Sequence, residues 1–443
     1  MSQYRAYPAY KDSGIEWIGQ VPEEWKTGKL KHLGTLKGGS GFPTDMQGQP
    51  DNELPFYKVG DLSKSRDNIS LNGSSNTISR KDAKELGATV FPENTISWAK
   101  IGAALFLNRR RISKTACCLD NNMTGFVVDS KKVPIQYAFY LMNAIDFSFF
   151  ARPGAVPSLS EGEQSAIPIA IPSYEESFSI AATLDRETAR IDALVEKKTR
   201  FIELLKEKRQ ALITHAVTKG LDPNAKMKDS GVEWIGQVPE HWKIAQIKRI
   251  SALNPRKSTL SEEKDSLCTF LPMEKLRTNA VTLDETRPIH EVYGGYSYFS
   301  DGDILIAKVT PCFENGNIAV ANGLVNGIGF GSTEINVLRV NGKGHNRFLY
   351  YRLQEEQFRT IAKSEMRGTG GLKRVPTDLF ESFTIGLPDT DEQATIAATL
   401  DRETARIDTL IGKAEQSITL LKERRAAFIT AAVTGQIDLR GKQ

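Results

Sequence analysis

The stretch Lys11–Lys26, KDSGIEWIGQVPEEWK, returns at Lys228–Lys243 with only Ile15 and Glu24 replaced, by Val232 and His241. A second block, Ala181–Asp192, returns unchanged at Ala397–Asp408. The copies stand 217 and 216 positions apart, one register and close to half the chain of 443 residues. Between the blocks the repeat fades, because residues 27–170 and 244–386 share only scattered positions. Such a chain has to build one frame twice around two different inserts. That arrangement suits reading two different things at a fixed separation.

The frame is helical. From Glu175 to Thr218 there is neither proline nor glycine, and Leu184, Ile191, Val195, Ile202, Leu205, Leu212 and Ala216 recur at the three-and-four spacing of an apolar seam. Gly220 and Pro223 stop the run. The second copy spans Asp391–Thr434, with Leu400, Ile407, Ile411, Ile418, Leu421, Phe428 and Ala432 on its seam and Gly435 behind it. A helix of this length, about 65 Å at roughly 1.5 Å per residue, cannot bury its stripe against one compact domain. The two copies are therefore expected to pair as an antiparallel coiled coil, the alternative being two separate helices, each on its own domain.

The inserts read as mainly β with some helix. Phe56–Val59, Thr95–Trp98, Ile304–Ala307 and Ile335–Leu338 are short β-rich runs, separated by turn formers such as Asn72-Gly73, Asp301-Gly302 and Asn341-Gly342. Helix is expected at Ile135–Phe150 and Phe348–Ala362. Ala99-Lys100-Ile101 matches Ala307-Lys308-Val309, so the inserts read as diverged copies of one domain. Trp17, Trp25, Trp234 and Trp242 are expected to be packing anchors. The first helix runs through Leu221 into the second Trp element, whereas nothing precedes the first one. If the frame is symmetric, the two ends should meet and close a ring.

The formal charge of +4 permits nucleic-acid binding without demanding it. Cys117, Cys118, Cys268 and Cys312 match neither a zinc spacing nor a disulfide framework and read as structural thiols. With no apolar signal core and no run of eighteen apolar residues, a cytoplasmic location and no membrane contact are expected.

The two Lys-Asp-Ser-Gly-[Ile/Val]-Glu-Trp-Ile-Gly-Gln-Val-Pro-Glu elements, Pro388–Gln393 leading into Ile396–Asp408, and the endings Leu420–Arg425 and Thr430–Gly435 resemble the specificity subunits of type I restriction–modification systems. One departure is Glu175-Glu176-Ser177, which stands where the second copy has Glu392-Gln393. The resemblance implies an α+β chain of two mainly β target-recognition domains separated by two long antiparallel helices, with internal pseudo-two-fold, circular symmetry. Its parts would be a Trp element at 1–26, recognition domains at 27–173 and 244–388, and long helices at 174–219 and 389–435. A linker with the second Trp element at 220–243 and a tail at 436–443 complete it. Each domain would read one half of an asymmetric, split site in double-stranded DNA, and the helices would set the spacing and dock two modification subunits. Those partners would bring S-adenosylmethionine for adenine methylation, and restriction subunits would add ATP- and Mg-dependent cleavage. This chain would hold no cofactor and no metal. Periodicity supplies only the ruler: about 65 Å against roughly 3.4 Å per base pair is on the order of two DNA turns.

No catalytic residue is assigned. Asn254-Pro255 continues as Arg-Lys rather than as the Pro-aromatic pair that would hold an adenine, and no phosphate loop occurs. The five histidines sit apart, with no His-Glu-x-x-His pair. The DNA candidates are basic or amide side chains of the inserts. Asn108, Arg109, Arg110, Arg111 and Lys114 form the strongest cluster, for which a solvated surface run is the alternative. Lys100 and Lys308 recur at matching positions and suit a shared phosphate contact. The loops Arg152–Ser158 and Arg367–Arg374, with Arg152, Ser158, Arg367, Thr369, Lys373 and Arg374, join mobile backbone to positive charge. Lys58, Lys275 and Arg277 complete the set. A scaffold whose two β-rich domains bind proteins is the competing function.

Overall fold

A computed structural model describes residues 5–440 except Arg66, Pro153, Ala155, Ser261, Glu262, Lys264 and Gly370. The outermost residues of the expected N-terminal element and tail, and three residues of the two expected loops, thus lie outside the described residues. The chain forms two compact units, one of residues 1–198 with 416–443 and the other of residues 199–415. Each unit owns half of each long helix.

Those helices span Tyr174–Lys219 and Thr390–Val433. Every expected seam residue is buried or half-buried. In the first unit Ile180, Ala181 and Leu184 share a core with Phe428, Ile429 and Val433, and Arg425 Nε meets Asp192 Oδ1 at 2.9 Å. In the second unit Ile213, Ala216 and Val217 share a core with Ile396, Ala397 and Leu400, and Arg209 Nε meets Asp408 Oδ1 at 3.1 Å. Asp192 and Arg209 lie 216 positions before Asp408 and Arg425, so one antiparallel contact is made twice with the helices exchanged. Exposed ion pairs contribute about 0–1 kcal/mol, whereas each buried Leu, Ile or Phe contributes roughly 1.5–3 kcal/mol. The seam therefore holds the pairing and the ion pairs mark its register.

Both stop signals act through left-handed glycines, Gly220 at φ +78° and Gly435 at φ +75°. At Gly435 a Cβ would stand 2.2 Å from Pro22 Cδ, so no side chain fits there. The tail then meets the N-terminal segment within the first unit: Arg5 bridges Asp438, and Arg440 lies over the Tyr7 ring at 4.7 Å. The expected closure is present.

In the first unit a five-stranded sheet has the order Gly34–Gly38, Met123–Val128, Ile96–Ala99, Arg111–Ser113, Ser70–Leu71. In the second unit a four-stranded sheet has the order Ser251–Leu253, Ile335–Val340, Ile304–Ala307, Ile318–Val320. The first three strands correspond one to one, all antiparallel. Beside them Lys26–Lys29 pairs with Pro168–Ile171, and Lys243–Gln246 with Thr384–Leu387. The inserts are thus two versions of one β-rich domain, and the α+β class and its two long helices are as expected.

Two expectations need correction. The insert helices are broken: Ile135–Ala144 is followed by a separate 3₁₀ turn at Phe147–Phe149, and Asn346–Arg352 by a second helix at Glu356–Ser364. Asp146 accepts from Ser148 N, and Glu355 from Gln357 N and Phe358 N, so each acidic residue caps a new start inside an apolar run. Among the tryptophans, Trp25 and Trp242 are buried and Trp17 is half-buried, donating to Pro168 O at 3.0 Å. Trp234 is exposed and anchors little. All four cysteines are free, and no helix among the described residues is long and apolar enough to cross a membrane.

Candidate nucleic-acid interface

The shared lysines and the two loops come together in each unit. In the first, Lys100 follows the strand Ile96–Ala99, Leu159 N donates to Lys100 O at 3.0 Å, and Gly102 N donates to Pro157 O at 2.8 Å. Ser158 bridges both Ile101 and Arg152, so the loop folds back on itself and seats on the edge beyond the lysine. In the second, Val375 N donates to Lys308 O at 2.9 Å and Thr310 N to Lys373 O at 2.9 Å. Arg374 there bridges both Val309 and Arg367. One edge has been built twice, with Lys100 and Lys308 half-buried at its root.

Each loop is also tied by an arginine–glutamate pair. Arg152 Nε meets Glu163 Oε1 at 2.5 Å, and the Ser160 backbone donates to the same carboxylate at 2.8 Å. Bonds from the Ser160 side chain and backbone, then from Arg152, hold the Glu163 carboxyl down at about 2. Arg374 grips Glu334 with two bonds of 2.8 and 2.7 Å, and that grip, aided by nearby Lys308, lowers the Glu334 carboxyl. Arg152 and Arg374 therefore serve loop geometry in this conformation. Arg367, Thr369 and Lys373 are exposed and Ser158 is half-buried.

The cluster at 108–114 divides. Arg110 is fully buried, donates to Ile145 O at 2.8 Å and to Asn108 Oδ1 at 2.7 Å, and lies 4.1 Å from the Phe147 ring. Burial pushes its pKa down to about 9, which leaves it protonated at neutral pH. Arg111 is buried as well, bonded to Arg110 O and to Asn68. Neither a base-reading arginine nor a solvated run describes these two; they hold the chain together behind the surface. Asn108 stands at φ +50° and bonds Asp146 at 3.2 Å, so it too positions a turn. Arg109 is half-buried beside Ser63, and Lys114 is exposed.

Lys58 is half-buried against Gln47 and lies 6.0 Å from the Phe42 ring. Lys275 is claimed by Asp284 at 2.6 Å and Glu285 at 3.0 Å, which raise its pKa and leave little for a phosphate. Arg277 is exposed and lines a cleft of about 820 Å³ with Thr278, Asn315 and Asn317.

What the sequence does not show directly is the anchor of each insert to the long helix that follows it. Tyr140 donates to Asp185 at 2.6 Å and meets Thr188 at 3.1 Å. Tyr351 does the same with Asp401 at 2.6 Å and Thr404 at 3.1 Å. Both acceptor pairs lie in the duplicated block, so part of that block repeats because it ties each insert to its long helices. The signal was present in Tyr140 and Tyr351, each followed through its own insert by the same Asp-Arg-Glu-Thr.

A family model for the type I restriction modification DNA specificity domain matches residues 22–204 and again 239–420. The chain belongs to this family. The specificity-domain match falls twice, once over each insert and on into the long helix that follows it. Among curated specificity subunits, the chain is 31% identical to that of the Escherichia coli type I restriction enzyme EcoEI over 199 residues, and 35% identical to that of EcoAI over 188 residues. These stretches cover 45% and 42% of this chain, and only 33% and 31% of those relatives. A putative specificity subunit, MjaX of Methanocaldococcus jannaschii, aligns over 96% of both chains at 23% identity. Among solved structures, a chain from a study of type I R-M complex assembly and conformational transition superimposes with a TM-score of 0.69 over 96% of this chain and 99% of that one, at 14% identity. The HsdS subunit of Thermoanaerobacter tengcongensis gives 0.54 over 94% and 98%, at 15% identity. These likenesses establish the fold of a specificity subunit.

Proposed function

We propose that this chain is the DNA-reading, non-catalytic subunit of a type I restriction–modification assembly, in which the domains at 27–173 and 244–388 each read one half of a split site. The observation that carries this is the edge built twice, with the same lysine and loop seat but different exposed side chains. The common parts supply sequence-independent attraction: Lys100 and Lys308 can neutralise phosphates. The differing parts, such as the exposed Arg277 and Lys373 of the second unit, supply base preference.

The long helices would set the distance between half-sites. Their outer faces also carry leucines left exposed in matching pairs 216 positions apart, Leu194 with Leu410 and Leu204 with Leu420. One apolar contact presented twice suits docking of two copies of one partner, the modification subunit. S-adenosylmethionine for methylation, and ATP and Mg for restriction, would be carried by partner subunits.

The test is a domain exchange read by methylome sequencing. Replacing residues 27–170 with the corresponding insert of another specificity subunit should change one half of the methylated motif and leave the other half and the spacing untouched. Changes in both halves, or in neither, refute independent readers. A wild-type assembly that marks no split site would favour the protein-binding scaffold instead.

A further inference from the structure

The two loops share a feature that their charges conceal. Val156 is 61% exposed and Leu372 is 56% exposed, and they stand 216 positions apart, in register with the long helices. Each sits two residues before the residue that seats its loop, Ser158 against Ile101 in one unit and Arg374 against Val309 in the other. Single exposed apolar residues are ordinary on a surface. Here the inserts share only scattered positions, yet both keep a large aliphatic side chain in water at the same point of the same loop. Burying such a side chain is worth roughly 1.5–3 kcal/mol, a gain that both units leave unused in the free chain.

The neighbours say what could realise it. Lys100 lies at the root of the loop that carries Val156, and Lys308 at the root of the loop that carries Leu372 together with the exposed Arg367 and Lys373. A surface of cations around one apolar tip complements a ligand that is anionic outside and apolar at its recessed edge. The major groove of DNA has that make-up, with phosphates along its rims and thymine 5-methyl groups on its floor. A protein partner would have to match two differently charged loops with one surface.

Resting on the DNA-reading function above, we infer that Val156 and Leu372 are equivalent apolar base contacts, one in each half-site, that pack against a thymine methyl group in the major groove. Both are specificity-determining residues, and the arginine–glutamate ties behind them hold each tip forward.

The experiment uses the full chain assembled with its modification subunits on a library of randomised bipartite duplexes, with methylated molecules sequenced. For V156A, the preference for thymine at one position of one half-site should flatten, and the rate on the preferred site should fall roughly tenfold, within the range of one lost base contact. The other half-site should be unchanged, and L372A should do the reverse. Deoxyuridine at the affected position should reproduce the alanine profile with the wild-type chain. Both side chains are exposed, so neither truncation endangers folding. An unaltered motif at an unaltered rate, or an equal loss on every sequence, overturns the inference. Weakened assembly with the modification subunits, with the motif of the complexes that do form unaltered, would make the tips protein contacts and overturn it too. If the wild-type assembly selects no motif, the DNA reading itself fails and takes this inference with it. A motif lost only in the variants' own half-sites cannot be mistaken for that result.

Discussion

At Tyr140 and Tyr351 the two units are alike to a tenth of an ångström in their bonds to the repeated Asp and Thr. One residue further they part. The first unit has Leu141 and, a turn on, Ala144, whereas the second has Arg352 and Glu355, an ion pair with side chains only 1% and 2% exposed. Arg352 also lies over the Phe383 ring at 5.5 Å, and Glu355 caps the next helix. The anchor to the frame is held constant while the filling behind it drifts between oil and charge. A frame that holds position so firmly allows each insert to solve its own core.

That contrast can be broken most forcefully at Glu355. Glu355→Ala should destabilise the protein by about 3–5 kcal/mol, because Arg352 is left as an unpaired buried charge. Arg352→Leu with Glu355→Ala, which copies the first unit, should recover most of that loss, since apolar replacement of a buried pair is often neutral. Urea unfolding of both variants decides; a double variant as unstable as the single one would show that the two cores are not interchangeable.

A smaller effect separates the buried tryptophans. Trp242 Nε1 donates to Glu392 at 3.1 Å, and His241 meets the same carboxylate at 2.8 Å. Glu176, 216 positions earlier, instead accepts from Tyr7 at 2.7 Å, and Trp25 Nε1 has no partner among the described residues. Trp242→Phe should therefore cost about 1 kcal/mol more than Trp25→Phe. Equal costs in thermal or urea unfolding would mean that the difference in bonding carries no energy.

The smallest effect is in pH. The Glu163 carboxyl is held at about 2 against an ordinary 4.5. A depressed carboxyl stabilises the structure above its unfolded value and loses that contribution as the pH falls through the folded one. The loop seated at Ser158 should thus loosen between about 4.5 and 2, seen as faster amide exchange at Gly102 and Leu159, and Glu163→Gln should remove the dependence. The same pH profile in the variant would release Glu163 from the role.

The frame was legible in the sequence because a duplicated apolar period and paired glycine stops are one-dimensional signals. The sheet runs were legible for the same reason. The candidate interface was less so. Lys100, Lys308 and the two loops could be named, yet nothing linear shows that Ser158 seats on Ile101, or Arg374 on Val309. Arg110 and Arg111 read like surface because three arginines in a row rarely point inward; only the carbonyl of Ile145 and the Phe147 ring, over 30 positions away, reveal the interior partners. The helix breaks at Asp146 and Glu355 were hidden because an acidic residue within an apolar run looks the same as a cap until its backbone partners are known.

The two compact units differ in one respect that concerns time rather than space. The second is a single uninterrupted stretch, 199–415, whereas the first gathers residues 1–198 and 416–443. During synthesis the second unit has all its residues once position 415 has left the ribosome. The first must wait with its seam open, for Ile180 and Leu184 have no Phe428 or Val433 to pack on until the last stretch emerges. The unit begun earlier is the one completed later, and until then its apolar stripe stays in water, the kind of exposed surface that makes a folding intermediate prone to aggregate.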